Sequence, residues 1–406
     1  MKFASICRSL WAGVMIIWAG SAVAEPKEQL YGKGPNTAFE AGWPLRVNPP
    51  NRLAALNGEA LQALFSKKPV WIEPAADGIA LPKAVVKFGF FHDPADLLQK
   101  HPIMAMVLGK DGKVVFERYQ FGTTAQSLFD GQSIAKTLTA LSIGVAIQQD
   151  PSIDLNAKMA EMVPKLKGSP IGEATLRQSL HMQCGHAFKW LDDGADASAG
   201  QYAKTRFAAA DKGSRDLYQY FKELPANTPG KTFAYDPHCT ESLSMLITQK
   251  TGLPLRTFFE QMVWKKMGAT SKAAWLSPTR NPELTSGPSA FYATLSDYAI
   301  LANTMVNGGV SKGQSVIPSR WLESMQTDTV AVGKSENENF ARYGYQVWVR
   351  HDKPDSWFAG LGNYGQRFYL DPRSNSFMVI FALDFDHIKD SDKFWEWFRA
   401  TPIDKL

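Results

Sequence analysis

Ser133 and Lys136 stand three residues apart at the entrance of a long, almost uniformly apolar stretch that follows a turn-forming Asp130-Gly131 pair. On a helix that spacing puts both side chains on one face of the first turn, with the amine in reach of the hydroxyl. Lysine is an unfavourable choice there, because unpaired N–H groups and the macrodipole already make a helix N-terminus positive. The choice makes chemical sense if a desolvated amine and the helix end together stabilise a developing alkoxide on Ser133, as a nucleophilic serine requires. A capping serine followed by a snorkelling surface lysine is the competing reading of the same four residues.

Two further segments carry residues suited to the same chemistry. In residues 229–248, a Pro-Gly turn, a short extended piece and then a helix would place Tyr235 on a loop at a helix entrance. Beside a lysine ammonium a phenolate is favoured, so Tyr235 could take a proton from a serine; a half-buried core tyrosine is the alternative. In residues 358–372, Gly360, Gly362 and Gly365 gather at the start of a strand. Glycine there marks a bulge or lets a backbone N–H approach a ligand closely.

The elements that must position these groups come from both ends of the chain. Residues 103–108 and 114–119 are β-prone runs flanking Gly109-Lys-Asp111-Gly112-Lys and read as a hairpin. A second β-rich zone comprises residues 345–349, 365–370 and 377–383, and residues 133–325 between the two zones read as largely helical or irregular. Hairpins at the two ends must pair or leave open edges. The expectation is therefore an α/β chain in α+β layers: one mostly antiparallel sheet from residues 101–120 and 343–400, closed by a terminal helix over 393–399, beside a helical subdomain. Asp93 is available to cap a helix ending at Lys100.

The remaining organisation follows from composition. The chain has 406 residues, 45% hydrophobic and 20% charged, without visible repeats. Lys2 and Arg8 precede a short apolar run, and Ser21-Ala-Val-Ala24 ends in a small-x-small pattern, so residues 1–24 read as a cleavable signal peptide. The run is too short to span a bilayer, so no stable membrane anchor is expected after cleavage. Residues 25–87 read as an extended arm with one short helix over 58–66, and residues 88–406 as the catalytic domain. Loss of Lys2 and Arg8 lowers the net charge from +5 to +3, which gives no case for nucleic acid. Cys184 and Cys239 are then the two remaining cysteines, candidates for a bridge in an oxidising periplasmic or extracellular compartment. His181 and His186 are five apart and lack the spacing of a helical metal site; neither metal nor cofactor is expected.

Taken together, Ser133-x-x-Lys136, Pro229-Gly-x-x-Phe-x-Tyr235 and Gly360-x-Gly-x-x-Gly365-Gln-x-x-x-x-Asp-Pro372 resemble, in order and spacing, the three motifs of the serine β-lactamase-related, penicillin-recognising hydrolases. The likeness runs from about Pro49 to Arg399 and is strongest with the 6-aminohexanoate-dimer hydrolase and esterase-like branch. It implies the β-lactamase/DD-peptidase fold and an acyl-enzyme on Ser133. Lys136 would keep the hydroxyl activated and Tyr235 would carry the proton to the leaving group. Backbone N–H groups of Ser133 and of Asn363, within residues 362–364, would form the oxyanion hole. Trp190, Trp348, Tyr345 and Gly362 are candidate pocket residues. The resemblance also brings Cys184 and the Tyr235 loop to the same cleft, which supports their pairing with Cys239.

Two departures bear on substrate. Gly360-Leu361-Gly362 stands where β-lactamases have Lys-Thr-Gly, and Pro237 where they have an asparagine, so a neutral ester or linear amide is expected rather than a β-lactam or peptidoglycan peptide. An α/β-hydrolase is disfavoured because no Gly-x-Ser-x-Gly occurs. A sensor that acylates without turnover shares the scaffold and stays open at this level, as does a β-lactamase or peptidase.

Overall fold

The hairpin over 103–119 forms as its turn chemistry dictates. In the computed structural model, which describes residues 71–89, 92–186, 198–208, 211–333, 337, 339–353 and 355–406, strands β2 (Ile103–Lys110) and β3 (Lys113–Tyr119) follow the short β1 (Trp71–Ile72). Asp111 and Gly112 between them both have positive φ, 51° and 75°, the mirror-image turn whose twist matches paired strands. The proposed leader, the first part of the arm and the helix over 58–66 lie outside the described residues. Of the rest of the arm, β1 pairs with residues 273–274 and Lys83 bridges Val114.

Later strands complete two sheets. β4 (Phe129–Asp130), β5 (Ala273–Trp275) and β6 (Phe291–Ala293) join β1 in the order β1-β5-β6-β4. After a small hairpin, β7 (Val310–Ser311) with β8 (Gln314–Ser315), come β9 (Val330–Ala331), β10 (Arg342–Tyr343), β11 (Trp348–Val349), β12 (Phe358–Gly362), β13 (Gln366–Asp371) and β14 (Ser376–Ala382). These last six join the first hairpin in one antiparallel sheet, β3-β2-β14-β13-β12-β11-β10-β9, so the two ends of the chain do meet edge to edge. All eight residues of β2 are buried. Helix Leu295–Val306 packs on one face of the sheet and the terminal helix Ile388–Ala400 contacts β14, which is why β2 reads as a continuous apolar run rather than an alternating one.

Three boundaries differ from the sequence reading. Residues 133–325 contain β5 to β8, whose two or three residues are too few to display a period-2 pattern. The sheet reaches back to β9 and β10, ahead of residue 343. The glycine-rich segment is not the start of one strand: β12 is a strand of its own, turning through residues 363–365 into β13.

Helix Ala135–Gln149 is apolar on all sides because it is buried on all sides. It packs on helix Pro237–Thr251, and Trp321 Nε1 donates to its Ala140 carbonyl at 2.9 Å. Gly144 lies against the Trp321 indole so closely that a Cβ would sit 2.2 Å from the ring. Helix Pro237–Thr251 starts with Asp236 as cap and proline in its first turn, and stops at Gly252 with φ 72°. The two helices present their N-terminal ends, carrying Ser133-Lys136 and Tyr235, to one cavity.

Candidate active site

Ser133 sits in a single 3-10 turn, Gln132–Ile134, that leads into helix Ala135–Gln149. The turn is set by Gln132, whose φ of 51° is held by Asp130: Oδ1 accepts from the Gln132 backbone N–H at 2.7 Å and Oδ2 from its side-chain amide at 2.6 Å. Burial pushes the Asp130 carboxyl up to about 7, against these hydrogen bonds. The consequence is a serine only partly covered, facing a cavity of about 450 Å³.

Lys136 is 2% exposed, with Nζ 2.8 Å from Ser133 Oγ and donating to the Pro288 carbonyl at 3.0 Å. Burial drives its pKa well below the ordinary lysine range; the Arg206 charge pushes the same way, while Asp236 and Glu241 oppose it. The shift favours the uncharged amine, whose lone pair can accept the Ser133 proton.

Tyr235 lies on the far side of this pair, its ring centroid 4.9 Å from Lys136 Nζ and 5.1 Å from that of Trp348. Burial raises its pKa above the usual tyrosine range, and hydrogen bonds with Ser133 and Trp348 only partly offset the rise. This corrects the phenolate expected from sequence. A lysine ammonium would have stabilised a phenolate, but the same dry surroundings favour the uncharged form of both groups, amine and phenol.

β12 forms the opposite wall, and its glycines explain how closely it approaches. A Cβ on Gly360 would stand 3.0 Å from Thr137 Oγ1, and one on Gly362 only 2.5 Å from the Gly131 carbonyl oxygen and 2.7 Å from Gln366 Cβ. The following turn, with Tyr364 at φ 59°, is pinned by Gln366, whose amide donates to the Asn363, Tyr364 and Ala382 carbonyls at 3.0, 3.2 and 2.7 Å. Gly362 and Asn363 both face the cavity with Ser133. Gly362→Ala is expected to cost about 1–3 kcal/mol of stability through overpacking. It should also cut turnover by at least about ten-fold, because it displaces Asn363 relative to Ser133. Thermal unfolding and an ester assay on this variant measure both effects, and wild-type values for both would show that the close approach does not matter.

The candidate pocket residues separate. Trp348 and Gly362 line the cavity. Tyr345 does not: it is buried, receives a hydrogen bond from Arg177 Nη1 at 2.7 Å, donates to Asp328, and packs its ring on Trp321 and His181. It belongs to the link between β10 and β11, three residues before Trp348 and beside Gln346 at φ 60°. Trp190 lies outside the described residues. His181 and His186 also diverge, the former bonding the Asp328 carbonyl at 2.8 Å and the latter Asp236.

Behind Tyr235 is a buried network whose members Asp236 and His186 sequence reasoning did not place at the site. Asp236 accepts from His186 Nδ1 at 2.8 Å and from His238 Nδ1 at 2.6 Å, besides capping its helix through the His238 N–H. Its pKa lies well below the usual carboxylate range because these partners outweigh burial, whereas burial lowers that of His238. The signal was Asp236-Pro237, a helix start, but nothing in sequence placed His186 beside it. Among the described residues, two groups bring three metal-capable atoms within 4.8 Å: His186, Asp236 and His238, and Cys184, Asp236 and Cys239. In the first, each Asp236 oxygen already accepts from an imidazole; in the second, the sulfurs are bonded to each other. Gln346 is a second missed residue, taking a hydrogen bond from Thr240 on the tyrosine helix at 2.6 Å while its own carbonyl accepts from Thr137 on the nucleophile helix at 3.1 Å.

Cys184 and Cys239 are joined in a disulfide, with Cα atoms 5.6 Å apart. Backbone bonds from Gly230 to Gln183 and from Ala234 to Met182 run alongside it, so the loop bearing Tyr235 is tied to residues 182–184 at several points. The bridge spans 55 residues, for which constraint of the unfolded chain contributes about 4 kcal/mol. Cys184→Ser with Cys239→Ser is expected to lose that much in denaturant unfolding; an unchanged midpoint would mean that the bridge stabilises nothing.

This chain belongs to the β-lactamase family: the family model described as Beta-lactamase matches residues 95–393. It is 25% identical over 288 residues to the 6-aminohexanoate-dimer hydrolase of Paenarthrobacter ureafaciens, covering 68% of this chain and 71% of that protein. In structure it resembles a putative 6-aminohexanoate-dimer hydrolase from Bacillus anthracis, with TM-score 0.71 and 24% identity over 81% of this chain and 89% of that one. It also resembles EstCE1, described as a hydrolase with promiscuous acyltransferase activity, with TM-score 0.59 and 13% identity over 75% and 95% of the two chains. Family and relatives together support a hydrolase on the β-lactamase fold.

Proposed function

We propose that the protein is an exported serine hydrolase that cleaves an ester or a linear amide through an acyl-enzyme on Ser133. The observation that carries this reading is the buried Lys136 amine 2.8 Å from Ser133 Oγ, where burial lowers its pKa. Lys136 accepts the hydroxyl proton as Oγ attacks the substrate carbonyl. The backbone N–H groups of Ser133 and Asn363 stabilise the resulting oxyanion, a contribution on the order of a hundred-fold per donor. Tyr235, held as a phenol, donates its proton to the departing alkoxide or amine and is reprotonated from Lys136. Water then enters along the same path in reverse, losing its proton to this relay as it attacks the acyl carbonyl.

Export rests on residues 1–24, and the mass of the mature protein should correspond to a start at Glu25. The substrate class follows from Gly360-Leu361-Gly362 and from Pro237, which lines the cavity and has neither a side-chain amide nor a backbone donor. Short-chain p-nitrophenyl esters are therefore expected to be hydrolysed at least about a hundred-fold faster, as kcat/KM, than nitrocefin. Nitrocefin turnover matching that of the esters would overturn the ester-or-amide reading, and a mature mass retaining the leader would overturn export.

A further inference from the structure

We propose that Arg206 is a positioning residue that acts on Ser133 through Lys136, by clamping the loop over residues 285–289 onto the lysine amine. This deepens the hydrolase reading above and rests on it. Lys136 Nζ donates to the Pro288 carbonyl of that loop at 3.0 Å and stands 2.8 Å from Ser133 Oγ. A carbonyl oxygen can only accept, so it takes an N–H and leaves the lone pair of an uncharged amine for the serine hydroxyl. Where the loop holds Pro288 therefore sets the direction in which Lys136 can take a proton.

Four elements grip the loop. Thr139 on the nucleophile helix donates to the Gly287 carbonyl at 2.8 Å, and Ser244 on the tyrosine helix donates to that of Thr285. Trp275 Nε1, on β5, donates to the Ser286 and Ser289 carbonyls at 2.7 and 3.2 Å. Arg206 instead holds side chains on either side of Gly287-Pro288: its Nη1 donates to Ser286 Oγ and, at 3.1 Å, to Ser289 Oγ. The clamp is itself fixed. Arg206 is 4% exposed in the last turn of helix Ser198–Phe207, its guanidinium carbon lies 4.2 Å and 4.5 Å from the ring centroids of Tyr202 and Phe207, and its carbonyl accepts from the Thr279 N–H at 2.7 Å. A planar guanidinium keeps such a geometry, whereas a lysine ammonium on its flexible stem does not.

Arg206 also brings a charge to the amine. The charged and titratable groups around Lys136 are Arg206 and Tyr202 from helix Ser198–Phe207, Tyr235 and Asp236 from the tyrosine loop, Glu241 from the helix that follows, and Arg367 from β13. The Arg206 charge opposes the ammonium form, while Asp236 and Glu241 favour it. Glu241 does not cancel Arg206 in full: its carboxylate is 3.8 Å from Nη1, its Oε2 accepts from the Tyr202 hydroxyl at 2.6 Å, and burial pushes its carboxyl up to about 7. Removing the positive charge makes the ammonium easier to form, so Lys136 would free its lone pair only at higher pH. The same loss disfavours the Glu241 carboxylate, which limits the size of the shift.

The test follows the pH dependence of p-nitrophenyl ester hydrolysis and of fluorophosphonate labelling in the wild type, Arg206→Lys and Arg206→Gln. Both variants should lose about ten-fold or more in kcat, because the clamp on Pro288 is gone. The acidic limb should stay near its wild-type position in Arg206→Lys, which keeps the charge, and move up by about half a pH unit or more in Arg206→Gln. A packing role alone would slow both variants without separating their limbs. Wild-type kcat in Arg206→Lys, or limbs that coincide in the two variants, overturns the proposal while leaving the hydrolase reading intact. If Arg206→Gln does not fold, the folded Arg206→Lys decides: a ten-fold loss of kcat with an unmoved limb supports the clamp, and wild-type kcat overturns it. A wild type that neither hydrolyses the ester nor takes up label overturns the hydrolase reading and this proposal with it.

Discussion

Ser133→Ala is expected to lower ester turnover by on the order of 10⁴-fold or more, the scale on which removal of a nucleophile acts when the oxyanion donors remain. The reason is chemical rather than structural. The serine is only partly covered, and what it loses is its hydrogen bonding to Tyr235 and to a lysine that keeps its bond to the Pro288 carbonyl. Stability should therefore change by no more than about 1 kcal/mol. Circular dichroism and thermal unfolding separate this result from misfolding: a variant that unfolds early would make the activity loss uninformative about the nucleophile, and a folded variant with substantial turnover would refute it.

Lys136→Ala, Tyr235→Phe and the double variant should each lose on the order of a hundred-fold or more, with the double losing little beyond the worse single. Lys136 sits over the Tyr235 ring and both bond Ser133, so either deletion breaks the same proton path. Fully multiplying losses would mean independent roles. The pH profile tests the protonation states. Activity requires the free amine, so it should rise as pH climbs through the lowered pKa of Lys136, well below the usual lysine range. It also requires the phenol, whose raised pKa should extend the plateau above the ordinary tyrosine range. An acidic limb lying at the ordinary lysine value would contradict a neutral amine.

Much of this was legible where local chemistry decides structure. The Asp111-Gly112 turn, the apolar run after Ser133 and the Pro-Gly loop before Tyr235 each specify their own conformation through φ preference or periodicity. What was not legible depends on distant contacts. Neither β5 nor β6 has enough residues to show a pattern, and Tyr345 looked like a pocket residue but is held outside the cavity by Arg177 and Asp328. Nothing in the sequence set Arg206, Asp236 or His186 apart as site residues. Only the tertiary fold puts them behind Lys136 and Tyr235, where burial shifts the amine and the phenol towards their uncharged forms.

The central claim is that Ser133 forms a covalent intermediate. Intact-mass measurement after incubation with a fluorophosphonate, followed by mapping of the modified peptide, addresses it without any knowledge of the natural substrate. The account predicts one phosphonyl group per chain, located on Ser133 and absent from Ser133→Ala. A folded wild-type protein that takes up no label, or takes it up equally in the alanine variant, would contradict it.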